Sequence, residues 1–354
     1  MRIGIITFTD GTNYGQRLQN YALQEVLKKY GNDVFTIKQE HHYTLRHKIK
    51  VIINAVINMK KTIKTIKRKQ SFEQFNNRYI KFYDKVLFEE DVSKNKKIAD
   101  SFDLFIAGSD QIWNPNSPFV NSNMFMQFAP KEKRATYAVS FSVDSIEQNK
   151  KKKFAKWISE ISDVSVRELQ AIEIVQELTG KKSKLSIDPT LLLDQIKWEN
   201  MANKAKTTVA VPGKYMISLF LGNDYKEEER YISERTNIHL LKFRDYEIVG
   251  PDEFIKIIKN ASLVLTDSYH ATIFSLLFNT PFIIFQRQSK GPNMNSRFET
   301  LDYYFNIKCR FYENVKKHNR YIETIDNDKF NKSLEKLKNI SWEYLDVMFQ
   351  YTGN

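Results

Sequence analysis

Apolar residues in this chain fall into short continuous runs that alternate with stretches of helical spacing, a pattern repeated from the first residues to about Phe285. Arg2 to Phe8 reads as a buried strand, and Arg17 to Tyr30 as a helix closed by Gly31. Val34 to Ile37, Phe102 to Ala107 and Ala135 to Phe141 read as further strands, and Lys153 to Ile161 and Leu169 to Leu178 as helices. After the polar stretch Ala202 to Thr208 the pattern starts again. Tyr215 to Leu221, Ile238 to Phe243, Leu263 to Thr266 and Pro281 to Phe285 are strands, separated by helices over Lys226 to Arg235, Pro251 to Asn260 and the segment holding Ile273, Leu276 and Leu277. Strands that alternate with helices predict parallel sheets whose ligands gather at the strands' carboxyl ends. The expected fold is α/β with two Rossmann-like domains facing a cleft: residues 1–205, residues 206–327, and C-terminal helices over 328–354 that are candidates for crossing back to the first domain.

A chain of 354 residues is long enough for two such cores. Hydrophobic residues make up 42%, and 11 Gly and 8 Pro leave little material for low-complexity linkers. A single cysteine, Cys309, excludes an internal disulfide or a cysteine-based zinc site. No apolar leader follows Met1 and no apolar run nears the ~20 residues a bilayer needs, so a cytoplasmic location is expected. The net charge of +13 is concentrated. Between Glu40 and Glu73 there is no acid, while Arg46, Lys48, Lys50, Lys60, Lys61, Lys64, Lys67, Arg68 and Lys69 are basic, and Leu45, Ile49, Ile52, Ile53, Val56 and Ile63 recur at helical spacing. This basic amphipathic segment, 45–70, fits either an anionic membrane face or a helix docked on its own domain with lysines in solvent. Nucleic acid is not expected, since no recognition motif accompanies the charge.

Chemistry is most concentrated in LVLTDSYHATIFSLLFNTP, Leu263 to Pro281, where a buried strand gives way to a helix. Thr266 and Asp267 offer capping oxygens there, and the free N–H groups of the helix start suit an anion, most often a phosphate. His270 lies in the first turn, able to exchange a proton near neutral pH. Four other strings accompany it: NYGQRLQNYALQ from Asn13, GSDQIWNP from Gly108, SVRE from Ser165 and DPTLLL from Asp188. In this order, and above all through GSDQIWNP with TDSYH, the chain resembles the polysaccharide pyruvyl transferase family from its first strand to about Phe298.

The resemblance implies a GT-B-like glycosyltransferase architecture and a transferase that moves pyruvate from phosphoenolpyruvate onto two hydroxyls of a sugar in cell-surface polysaccharide biosynthesis. No metal or redox cofactor is required by that scheme. His270 is the candidate general acid and base, and Arg167, at an arginine position of the family motif, the candidate grip on the donor. Ser268, Tyr269 and Arg297 are further donor-side candidates. Some members carry an arginine shortly before the histidine where this chain has Ser268, and Arg297 is the candidate replacement. Asn13, Tyr14, Gly15, Gln19, Ser109, Asp110, Gln111, Trp113 and Asn114 form the candidate acceptor rim, with Trp113 as a platform for a pyranose face or, alternatively, a core residue. Asp267, Glu168 and Asp188 are expected in supporting roles, Asp188 shaping the turn before Pro189. The expected partners are phosphoenolpyruvate, a free or lipid-linked sugar, and an anionic membrane surface through residues 46–69. Two alternatives stay open: a glycosyltransferase using a nucleotide-sugar on the same scaffold, and a non-catalytic sugar-binding or membrane scaffold protein.

Overall fold

The computed structural model describes residues 1–40, 59–88, 92–208, 211, 213–222, 224–246, 248–287 and 296–352. The central apolar runs, such as Leu104–Asp110, Arg134–Val139, Tyr215–Leu219 and Leu263–Thr266, become strands buried along their whole length. The first sheet contains β1 (Arg2–Ile6), β2 (Asp33–Thr36), β5 (Leu104–Asp110), β6 (Arg134–Val139), β7 (Ser165–Val166) and β8 (Lys184–Leu185), in the order β2-β1-β5-β6-β7-β8. A two-stranded pair, β3 (Gln39–Glu40) with β4 (Leu87–Phe88), lies beside it. The second sheet runs β10 (His239–Lys242), β9 (Tyr215–Leu219), β11 (Leu263–Thr266), β12 (Phe282–Ile284). All of these pairings are parallel, with Ile3 opposite Val34 and Leu104 in the first sheet and Val264 opposite Ile217 and Phe282 in the second. The two Rossmann-like units predicted from the pattern are therefore present, in the GT-B-like arrangement that the resemblance implied.

Helix Tyr14–Leu27 starts one loop after β1, and Asn13 caps it by accepting from Gln16 N at 3.2 Å. It joins the units by packing on helices Pro251–Asn260 and Tyr269–Leu277 of the second. Tyr14 stacks on Phe254 at 4.6 Å, meets Phe243 edge-on at 5.3 Å and donates its hydroxyl to Val249 O at 3.1 Å. One apolar core is thus continuous between the units. The C-terminal helix, Asn327–Thr352, returns to the first sheet: Tyr344 donates to Thr136 O at 2.8 Å, Ser341 Oγ accepts from Ile187 N at 3.1 Å, and Phe349 stacks on Tyr30 at 4.1 Å. Helix Met59–Tyr79 covers the second half of the basic segment. Arg46, Lys48, Lys50 and the apolar positions Leu45 to Val56 lie outside the described residues, as do the side chains of Lys60 and Lys61. Among the described residues no helix is long and apolar enough to cross a membrane.

Candidate active site

The strand-to-helix junction after β11 is built by local hydrogen bonds, with a cap different from the one expected. Ser268, not Asp267, is the N-cap of helix Tyr269–Leu277; its Oγ faces Ala271 N at 3.5 Å, while Thr266 Oγ1 accepts from Ser268 N at 2.9 Å. Asp267 points the other way. Its carboxylate accepts from Leu221 N at 2.7 Å, Gly222 N at 2.8 Å and Arg287 Nε at 3.2 Å, tying the loop after β9 to the end of β11.

His270 faces the first domain. Its Nε2 lies 3.6 Å from Asp188 Oδ2, and the same oxygen accepts from Arg167 Nη1 at 2.5 Å. Asp188 also caps the short helix Pro189–Leu192, taking Thr190 N at 2.9 Å and Thr190 Oγ1 at 2.6 Å on its other oxygen. The expected turn role is real but incomplete, because this carboxylate is also the shared partner of Arg167 and His270. On the opposite side of His270 sits Gly15. A Cβ on residue 15 would fall 2.0 Å from His270 Nδ1, so only glycine permits this approach.

Arg167 is 1% exposed and lies among carboxylates: Asp188, Asp110 at 3.6 Å and Glu168 at 4.0 Å. Burial alone would lower its pKa, but Tyr269 and the three carboxylates outweigh that and hold it above the usual arginine value. The Tyr269 ring contacts two guanidinium groups, Arg167 at 4.6 Å and Arg297 at 5.5 Å from its centroid. Arg297 is 5% exposed, and its pKa is lowered to about 10, first by burial and then by the nearby Arg167 charge. Asp188 responds oppositely. Burial opposes its ionisation, yet His270, Arg167 and Thr190 hold it far below the usual carboxylate range.

Several buried polar atoms in this cluster have no hydrogen-bond partner among the described residues: Arg167 Nε and Nη2, Asp110 Oδ2, Glu168 Oε2, His270 Nε2 and Arg297 Nε. Buried polar atoms are nearly always paired; Arg167 Nε and Nη2, Glu168 Oε2 and His270 Nε2 face opposite charges at 3.6 to 4.0 Å, and the concentration makes this cluster the candidate site for a polar ligand. Asp110 is held there with φ 70°, a left-handed conformation that costs a non-glycine residue of order 1 kcal/mol or more. Glu168 uses its other oxygen to fix the loop after β6, accepting from Ser140 Oγ at 2.8 Å, Phe141 N at 2.9 Å and Ser142 N at 3.1 Å.

A cleft of about 910 Å³ opens between the domains; it reaches Gly15 and Ser268 next to His270, but Asp110, Arg167, Asp188, Tyr269, His270 and Arg297 do not line it. Of the expected acceptor rim, Asn13, Tyr14, Gly15 and Gln111 line it, as does Ser268 from the donor side. Asn114 stands next to Gln111, to which its Nδ2 donates at 3.2 Å. Three expected contacts are corrected. Trp113 is fully buried, stacked on Phe125 at 4.8 Å, edge-on to Phe141, with its indole N–H given to Met124 O, so it is core and offers no face to a sugar. Gln19 and Ser109 are likewise internal, bonded to each other through Ser109 N and Gln19 Oε1 at 2.9 Å. Arg17 was not anticipated. Buried in the first helix, it donates to the carbonyls of Phe8, Thr9 and Gly11 and so shapes the loop that carries Asn13 to the cleft.

The family model described as polysaccharide pyruvyl transferase matches residues 13–289, from the cap of the first helix to just past β12. The chain belongs to that family. Comparison with curated proteins yields no match. Among solved structures, the chain is similar to UDP-N-acetylglucosamine 2-epimerase from Rickettsia bellii, at 11% identity and TM-score 0.48, covering 98% of this chain and 97% of that one. The Methanocaldococcus jannaschii UDP-GlcNAc 2-epimerase in complex with UDP-GlcNAc and UDP matches at 14% identity and TM-score 0.48, over 96% and 93% of the two chains. Arg297, the expected donor-side arginine, reaches the Tyr269 ring from helix Ser296–Phe305.

Proposed function

We propose that the chain transfers the pyruvyl group of phosphoenolpyruvate to two hydroxyls of a sugar, forming a cyclic ketal for a cell-surface polysaccharide. The observation that carries this reading is Arg297. It is a nine-tenths buried guanidinium with no carboxylate partner among the described residues, and it shares the Tyr269 ring with Arg167. Arg297 supplies a buried positive charge for the carboxylate or phosphate of a small anionic molecule, while Arg167, already ion-paired with Asp188, has Nε and Nη2 left to donate. His270 is then the acid that protonates the methylene carbon, leaving a positively charged carbon that the first hydroxyl attacks. Asp188, 3.6 Å from Nε2, orients the imidazole for that transfer. The C–O bond to phosphate breaks, and the second hydroxyl closes the ring on the same carbon. The two hydroxyl protons end on the new methyl group and on the released phosphate, so the reaction balances without a further reactant. The cleft, far larger than the donor needs, takes the acceptor along Asn13, Gly15 and Gln111.

The test is phosphate release from phosphoenolpyruvate with a panel of galactose, mannose and acetamido-sugar acceptors. Acceptor-dependent release is expected, reduced ~100-fold to ~10,000-fold in a folded His270→Ala variant. Arg297→Gln should raise KM for phosphoenolpyruvate more than KM for the sugar. Turnover of a nucleotide-sugar with no need for phosphoenolpyruvate would replace this reading by the glycosyltransferase one.

A further inference from the structure

Helix Met59–Tyr79 carries apolar side chains on its inward face and, near its start, two more on the outward side, where a helix docked on its own protein needs none. The inward face is accounted for. Phe72 and Phe75 are 2% exposed, Arg68 lies over the rings of Tyr14 and Phe72 and donates to Thr12 O at 2.8 Å, and Ser71 donates to Ile248 O, so the helix is fastened to both domains. At 100° per residue, Ile63, Ile66 and Gln70 point roughly 180° away from Phe72 and Phe75. Ile63 is 48% and Ile66 49% exposed. Lys67 and Lys69 stand roughly 80° to either side of that outward line, with Lys64 beyond Lys67. All three lysines are exposed, and none pairs with a carboxylate among the described residues. The first acid on this helix is Glu73, past the patch.

We propose that this outward face docks the protein on an anionic membrane surface, the isoleucines entering the headgroup boundary and the lysines meeting the lipid phosphates. An apolar centre flanked by lysines is the arrangement of helices that lie in the plane of a bilayer. Duplex nucleic acid offers phosphates to the lysines but nothing for two isoleucines between them. Placement adds a second argument. Arg68, on the inward side of the same turn, lines the cleft. The cleft wall and the docking face are separated by one helix diameter, about 10 Å, so a docked protein holds its cleft within reach of a sugar anchored at the bilayer. Docking is read without turnover, so it stands or falls separately from the choice of donor.

The experiment is co-sedimentation of the full chain with vesicles of phosphatidylcholine containing phosphatidylserine, against phosphatidylcholine alone, at low and high salt. Binding is expected only to the anionic vesicles, and weaker at high salt. Replacing Lys64, Lys67 and Lys69 by Gln should reduce partitioning roughly a hundredfold, at about a factor of five per lysine. Ile63→Ser with Ile66→Ser should reduce it roughly tenfold. Both variants alter only exposed side chains and should keep the native unfolding midpoint and the native rate on a soluble acceptor. Equal binding to both vesicle types, no binding by the native chain, or binding that neither variant changes would overturn the proposal. So would tight binding to duplex DNA at the same salt together with no vesicle binding.

Discussion

Asp188 is where residue-scale physics is most exposed, because one fully buried carboxylate serves Arg167, His270 and the cap of its own helix. Its folded-state pKa is depressed, so it contributes stability that is fully present above the unfolded value of ~3.9 and is lost as pH falls through the lower folded value. At pH 7, Asp188→Asn should cost ~3 to 5 kcal/mol by leaving the buried Arg167 and His270 without their shared charge. In urea unfolding the gap between wild type and variant should narrow as the pH is taken from 5 to ~3. A gap that stayed constant over that range would remove Asp188 from the charge cluster. The sequence did not disclose this role. Asp-Pro-Thr reads as a turn from its own neighbours, and that part is right. Its other partners come from β7's end and from the second domain, and no local spacing points to them. Arg167 and His270 were legible because each sits at a strand end within a distinctive string. Trp113 was legible only as a choice between platform and core, because Phe125 and Phe141, which bury it, lie beyond the loop that carries it.

Elements were easier to read than their meeting points. The four strands of the second sheet and the four longer strands of the first follow from apolar runs; the two-residue strands β7 and β8 are too short to show a run, and helices Val92–Ala99 and Gln195–Lys204 went unread in polar stretches. The start of helix Tyr269–Leu277 shifted to a Ser268 cap because Asp267 had stronger donors elsewhere, in Leu221, Gly222 and Arg287. The meeting of two helix starts at Gly15 and His270 yields a paired prediction. Gly15→Ala gives helix Tyr14–Leu27 a better helix former, worth up to ~1 kcal/mol, but drives a methyl into the imidazole. Alone, the substitution should lower the rate more than tenfold and destabilise the fold. In a His270→Ala background the clash disappears, and the same change should be neutral or stabilising in thermal unfolding. Equal penalties in both backgrounds would show that Gly15 answers to something other than His270.

For the whole molecule, the shared core decides behaviour. Tyr14 belongs by sequence to the first domain and by packing to the second, among Phe243 and Phe254, and the C-terminal helix carries the end of the chain back to the first sheet. Two domains joined this way should unfold together. Circular dichroism and tryptophan fluorescence should give coincident transitions in urea, with one midpoint. Two separated transitions would mean that the Tyr14 cluster contributes little. The repeated strand-helix pattern announced two units, and the return of the C-terminal helix to the first was among its expectations; the Tyr14 contact was not readable, since it joins segments more than two hundred residues apart, Tyr14 with Val249.

His270 lies behind the floor of the cleft, with Gly15 pressed against one side of the ring and Asp188 on the other. Under the proposed chemistry, a cationic carbon formed beside this histidine is as open to a water molecule as to a sugar hydroxyl, and in bulk solvent water outnumbers any sugar by orders of magnitude. The choice of nucleophile then passes from concentration to access. A bare glycine backbone closing over the imidazole leaves little room for stray solvent, so the donor is kept from being spent on hydrolysis while no acceptor is in place.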